Sequence, residues 1–265
     1  MATSIHAQDA PPAVNNGLLT WAAGGDFVSQ YYFRGFEQED TGLIFQPFVE
    51  VSGPLGDSGI DFTLGTWQSI HSEGTGAVDG GPSNWYESDL YAGLAYAIND
   101  EIGVSATFTG FYSPNNAFAD IEEIAFGLDY DDSAILGDWA VSPYALFAFE
   151  TRDAGGSEDI YLELGGELGA PFIESESLPV ELSFPFALGL SIDDFYTDED
   201  GDNEFFGFLL IGAAAGMPLD FIPSDYGTWS ASAGLDILFL NDDAGLNDSS
   251  SDVTIIGKVG FSVEY

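Results

Sequence analysis

Acidic side chains recur in this sequence at alternate positions of otherwise apolar runs. Glu163 and Glu167 sit in such a run from Ile160 to Leu168, and Glu181 lies in another from Leu178 to Ile192. Residues two apart share one face of an extended chain. Collected on that rule, the polar faces carry Asp26, Glu50, Asp61, Glu87, Asp89, Glu123, Asp129, Glu163, Glu167, Glu181, Asp236 and Glu264. Two bases stand among them, Arg34 and Lys258. Carboxylates ringed around a water-filled lumen favour cations. The plainer alternative is that these acids sit in salt bridges or in water and set no selectivity.

Two other groupings have chemical content. Asp198-Glu-Asp-Gly-Asp-Asn-Glu204 resembles a calcium loop in composition. The helix–loop–helix calcium pattern fails on it, because its first position falls on Tyr196 and its twelfth on Gly207. A looser oxygen-rich site from Asp198, Asp200, Asp202 and Glu204, for Ca2+ or Mg2+, is retained beside a solvated acidic loop. Ser69 and His71 are two apart on one strand and share a face. A serine nucleophile needs such a base, but no further motif supports catalysis. Gly56-Asp57-Ser58-Gly59 reads as a hairpin turn. No enzyme and no resident cofactor are expected.

The chain as a whole is more acidic still. Three Lys and Arg face 45 Asp and Glu in 265 residues, a formal net charge of −42. That excludes nucleic acid, whose affinity comes from neutralising phosphates, and a basic membrane-surface patch. A saline habitat would also tolerate it, because salt screens self-repulsion. Disorder does not fit a chain with 15% aromatics, 22 Phe and 12 Tyr. Without Cys there are neither disulfides nor thiolate metal sites. Ala2 to Ala7 carries the small residues of an export-signal tail, so residues 1–16 are read as a flexible remnant of a cleaved signal peptide and 17–265 as the folded domain.

The elements that must position the acids are strands. From Leu178 to Ile192 the apolar set keeps a strict two-residue period, and two prolines deny a helix interior. Similar segments start near Leu18, Leu43, Ile60, Trp85, Ile102, Ile121, Trp139, Asp159, Leu178, Glu204, Tyr226 and Asp252, twelve in all. Connections alternate between compact turns and longer acidic loops, the layout of an outer-membrane barrel with both termini on the periplasmic side. The polar faces are rich in Gly, Ala and Ser, as a crowded lumen requires, where a soluble exterior would mix Lys, Arg and Glu. Trp21, Trp139, Tyr226, Trp229 and Tyr265 fall at one set of strand ends, and Tyr31, Phe33, Trp85 and Tyr112 at the other. Two aromatic girdles are expected of a membrane barrel. The last segment, Asp252 to Tyr265, alternates cleanly and ends on an aromatic. It resembles the signal by which the barrel-assembly machinery recognises bacterial outer-membrane barrels.

The stretch Val28-Ser-Gln-Tyr-Tyr-Phe-Arg-Gly-Phe-Glu-Gln38 resembles the N-terminal strand of the Gcw-type family of bacterial conserved hypothetical proteins, with Ser29, Tyr31, Phe33, Arg34 and Gly35 on its pattern. Gly65 to Ile70 is similar to that family's third-strand motif. The resemblance implies a porin-like barrel and no particular substrate. The expectation is therefore an all-β, twelve-stranded antiparallel transmembrane barrel in a bacterial outer membrane. It passes small polar solutes or cations through an acidic lumen, with Arg34 and Lys258 on the two strands that close the wall. The alternative is a non-conducting barrel, closed by bulky inward residues such as Tyr32, Phe48, Trp67, Tyr91 and Tyr144. Its acidic loops bind divalent cations, and through them lipopolysaccharide or neighbouring molecules.

Overall fold

The computed structural model describes residues 19–74, 76, 82–152, 159–169, 180–244, 246 and 252–265. The expected leader, residues 1–16, lies outside them. Twelve strands form one closed antiparallel barrel. In chain order the wall is β1 (Thr20–Val28), β4 (Ile44–Pro54), β5 (Ile60–His71), β6 (Trp85–Ala97), β7 (Ile102–Tyr112), β8 (Ile121–Tyr130), β9 (Tyr144–Arg152), β10 (Ile160–Gly169), β11 (Glu181–Asp193), β12 (Phe206–Pro218), β13 (Thr228–Leu240) and β14 (Val253–Glu264). Between β1 and β4 lies a separate two-stranded hairpin, β2 (Tyr31–Phe33) and β3 (Phe36–Glu39). The strand expected near Trp139 begins at Tyr144, because a short helix, Ser133–Leu136, and a 3-10 turn, Gly137–Trp139, occupy the connection.

Closure rests on β1 and β14. Trp21 and Tyr265 exchange backbone hydrogen bonds of 2.8 Å in both directions, so the terminal aromatic completes the wall. Further along the same pair, Asp26 stands opposite Gly260. A Cβ at position 260 would lie 1.9 Å from an Asp26 carboxylate oxygen, so any larger residue there would displace that side chain. On its other edge β1 pairs with β4 through to Val28↔Ile44, so the two residues that flank the hairpin segment are direct neighbours.

The two faces of the wall differ sharply. Leu64, Leu90, Phe126, Leu235, Ile255 and Val259 point outward and are 50 to 61% exposed. They continue around the circumference as a band of apolar side chains. Water is a poor solvent for such a band, whereas the hydrocarbon core of a bilayer suits it. Closing the wall also satisfies every strand's backbone groups without an edge. Trp21, Trp139, Tyr226 and Tyr265 are exposed at the end that carries the chain termini, and Trp85 at the other. Tyr31 and Phe33, expected in that second girdle, are not in it. They sit on the hairpin, which folds inward, and Tyr31 is buried.

Leu235 lies at the middle of β13. Leu235→Arg is expected to cost about 2–4 kcal/mol in urea-titrated refolding into phosphatidylcholine vesicles. A change within about 0.5 kcal/mol, as for an ordinary water-exposed position, would show that the band does not face lipid.

Candidate functional site: an acid-lined lumen crossed by a hairpin

The hairpin turns on Arg34 and Gly35, with φ of 50° and 89°, and Phe33 pairs with Phe36 across them. A two-residue turn with both φ values positive matches strand twist, and it favours glycine at either position. Gly35 adopts its φ freely, while Arg34 does so under strain. The Arg34 side chain explains how that is held. Its guanidinium donates to both carboxylate oxygens of Glu123 on β8, at 2.5 and 2.9 Å. It also lies over the rings of Tyr161, Phe33 and Phe195, at 4.2, 4.9 and 5.5 Å from their centroids. The Tyr196 hydroxyl donates to the Arg34 carbonyl at 2.8 Å. On the hairpin's flanks, Tyr31 donates to Glu87 at 2.8 Å and Tyr86 donates to Gln38. The tip therefore reaches from β1 to the far side of the barrel, and aromatic rings pack around it.

Burial by itself lowers the Arg34 pKa, but the hydrogen bonds and charge of Glu123 outweigh it, and the net shift is upward. Burial and then Glu87 hold the Tyr31 phenol well above its ordinary value, which keeps its proton in place as a donor.

The strand register puts the predicted acids of the wall on one face, the inner one. Glu50 stands opposite Gly65, which stands opposite Tyr91, and Trp67 pairs with both Phe48 and Asp89. Thr109 faces Glu123 and Gly103 faces Asp129. Glu163 and Glu167 face Gly189 and Pro185, and Glu181 faces Gly216. Glu87, Asp89, Glu123 and Asp236 are buried. Glu50 accepts from Tyr91 at 3.1 Å, and Glu163 accepts from Tyr144 and Tyr161 at 2.7 and 2.5 Å. Asp61, Asp129, Glu167, Glu181 and Glu264 are exposed toward the end that carries the termini. Lys258 is on β14 as expected, 2.6 Å from Asp236. Arg34 is not on a closing strand. Its place at the hairpin tip is the main departure from the sequence reading, and it puts the guanidinium inside the barrel. Phe48, Trp67, Tyr91 and Tyr144 are on the inner face, while Tyr32 belongs to the hairpin.

The hairpin divides the lumen. A cavity of about 510 Å³ lies on the β10–β14 side, bordered by Tyr32, Arg34, Glu163, Glu167, Asp236 and Lys258. A smaller one, about 240 Å³, lies toward β6–β8 and includes Glu123 in its lining. The Arg34–Glu123 ion pair thus stands between the two.

Ser69 and His71 do meet, with Oγ and Nε2 2.9 Å apart, and Glu39 of β3 is 3.7 Å from His71 Nδ1. The order is that of a serine–histidine–acid relay. However, Ser69 has no exposed surface, and His71 stacks on Tyr86 with centroids 4.7 Å apart. These contacts seat β3 against the wall. In the acidic loop, one Asp198 carboxylate oxygen accepts the amides of Asp200 and Asp202, each at 2.9 Å. Among the described residues, no group of three or more His, Cys, Asp or Glu is placed to hold a metal ion.

The sequence reading did not find Tyr86, Gln38, Glu39 and Tyr196 as hairpin partners. A signal was available. The starts near Leu18 and Leu43 are 25 residues apart, more than one strand and a turn need, and Arg-Gly between aromatics marks a tight turn.

No family model matches the chain, and no curated protein matches it. Solved structures do. An outer-membrane channel from Pseudomonas putida F1 is 11% identical, with 99% of this chain and 100% of that one covered and a TM-score of 0.50. The fold is that of an outer-membrane barrel. The NanC porin is 13% identical, with 92% and 98% covered and a TM-score of 0.49. LpxR from Salmonella typhimurium is 8% identical, with 92% and 99% covered and a TM-score of 0.47.

Removing one partner of a buried ion pair costs about 3–5 kcal/mol, whereas replacing both with apolar groups costs far less. In Glu123→Gln, hydrogen exchange at the hairpin amides is expected to speed up by at least about 100-fold. Arg34→Met combined with Glu123→Leu should restore most of the protection. Wild-type exchange in Glu123→Gln would mean that the ion pair does not hold the hairpin.

Proposed function

We propose that this chain is a porin-like channel of a bacterial outer membrane, passing small polar solutes or cations by diffusion through an acidic lumen. The observation that carries the reading is the inner wall, whose carboxylates border a cavity of about 510 Å³. The charge balance supports cation preference. The chain has three Lys and Arg. Arg34 pairs with Glu123, Lys258 with Asp236, and Arg152 with Glu122 and Asp120. The other acids of the lumen therefore set its potential, and a low-dielectric wall strengthens it. In this reading the termini are periplasmic and the hairpin lies in the outer half, where it forms the constriction. The short resemblance at Val28–Gln38 to the Gcw-type barrels points the same way.

The hairpin also favours a second reading, a barrel plugged by its own first connection. Its rings and those of Tyr161 and Tyr196 pack into the upper lumen. In that case the acidic loops would act at the surface, bridged by divalent cations to lipopolysaccharide.

Planar-bilayer recording under a KCl gradient separates the two. The channel reading expects steady conductance and a cation-side reversal potential, and the triple variant Glu163→Gln, Glu167→Gln, Glu181→Gln should move that potential toward zero. Replacing residues 30–42 with a short Gly-Ser turn should raise conductance severalfold. Inserted protein that stays silent both with and without the hairpin would overturn the channel. An unchanged reversal potential in the triple variant would remove these acids from the selectivity.

A further inference from the structure

The larger cavity, about 510 Å³, has the size of a small-molecule site. Val28, Phe208, Leu238 and Ile256 give its border apolar stretches, and polar groups are set among them at a few points. Most of those groups are already bonded within the protein. Arg34 is bound to Glu123 and Lys258 to Asp236. Glu163 accepts from Tyr144 and Tyr161, while Tyr31 and Tyr32 donate to Glu87 and Glu37. Glu167 borders the cavity toward the end that carries the termini, where it is exposed. Gln46 is different. It lies on β4 opposite Asp26 of β1, lines the cavity, and is 9% exposed. Its amide nitrogen, Nε2, has no hydrogen-bond partner among the described residues.

A buried N–H left without an acceptor is unfavourable. This one borders a space large enough for a molecule that accepts from it. The rest of the lining says which kind. A bare or alkylated cation carries no acceptor for the amide, and neither does a hydrocarbon. An anion carries one, but it would meet Glu163, Glu167 and Asp236, with both bases already bound to carboxylates. A neutral polyol fits, because each hydroxyl both accepts and donates. One oxygen accepts from Gln46. Others donate to Glu163 and Asp236, since an ionised carboxylate offers about four acceptor sites and keeps some beyond its present partners. The C–H faces of a sugar ring then lie against the apolar stretches of the border.

We propose that the cavity of about 510 Å³ binds a neutral polyhydroxyl solute of monosaccharide size, with the Gln46 amide as the donor that selects it. The proposal rests on the channel reading for the path by which the solute arrives, and it names the class of polar solute that path would serve.

The test is equilibrium binding to the full chain in detergent, by saturation-transfer NMR with glucose, gluconate and tetramethylammonium as probes. Saturable binding of glucose is expected, at least about tenfold tighter than that of either ion. Gln46→Met, close in volume, and Gln46→Glu should each weaken it about threefold to tenfold while the barrel keeps its heat-modifiable gel mobility. Gln46→Met should also unfold at the same urea concentration as the wild type or a higher one, because it removes a buried donor that has no partner. Glucose that does not saturate would mean that water serves the amide, and would overturn the proposal. So would equal affinity for either ion, wild-type affinity in both folded variants, or a lower urea midpoint in Gln46→Met, which would make the amide structural. Conductance separates the two readings: a conducting barrel that does not bind glucose loses the site and keeps the channel, and a silent barrel that binds it loses the channel and keeps the site.

Discussion

The arrangement of the lumen depends on one ion pair. Arg34 holds a positive φ that a tight two-residue turn normally gives to glycine or asparagine, and it is also the residue that fastens the turn to the opposite wall. Its bidentate contact with Glu123 offsets both the backbone strain and the desolvation of the guanidinium. The hydroxyls of Tyr31 and Tyr86 then fix the flanks, and Tyr196 caps the tip. A barrel without this bridge would have one continuous interior. With it there are two spaces, one bordered by both Arg34 and Lys258, the other with Phe33, Phe36, Phe111, Phe118 and Phe195 in its lining.

Charge is the second constraint. A chain of net charge −42 opposes its own compaction. The barrel tolerates this because it distributes the acids. Some are exposed at the end that carries the termini, where water and salt screen them, and some accept tyrosine hydroxyls along the inner wall. Of those buried deepest, Glu87 and Glu123 accept from Tyr31 and Arg34 at the hairpin, Asp236 pairs with Lys258, and Asp132 accepts the amides of Val141 and Ser142. The apolar band outside needs no such compensation.

The wall was legible in the sequence because its signal is local. A two-residue period assigns each side chain to a face whatever the partner strand, and the wall acids collected on that rule fall on the inner one with Lys258. Closure was legible from the last segment, whose terminal Tyr265 bonds to Trp21. The hairpin was not, because its period is also two. Tyr31 and Phe33 alternate on their short strand as a girdle would, and only contacts at long sequence separation, Arg34 with Glu123 and with Tyr196, turn them inward. The internal hydrogen bonding of the acidic loop between β11 and β12 was not legible for a related reason. Composition gathers carboxylates in a line, while Asp198 spends its oxygen on the loop's own amides.

One pairing has a wider meaning. Val28 and Ile44 are direct partners, and everything between them leaves and returns at that single rung. The strand pairing of the wall is therefore complete without the segment it encloses, and the chain enters and leaves that segment at one rung. Wall and insert can change under separate pressures, the wall for insertion and stability, the insert for whatever it admits or retains. The same twelve strands can carry a different insert, and a different trade with the medium outside, with their own pairing unchanged.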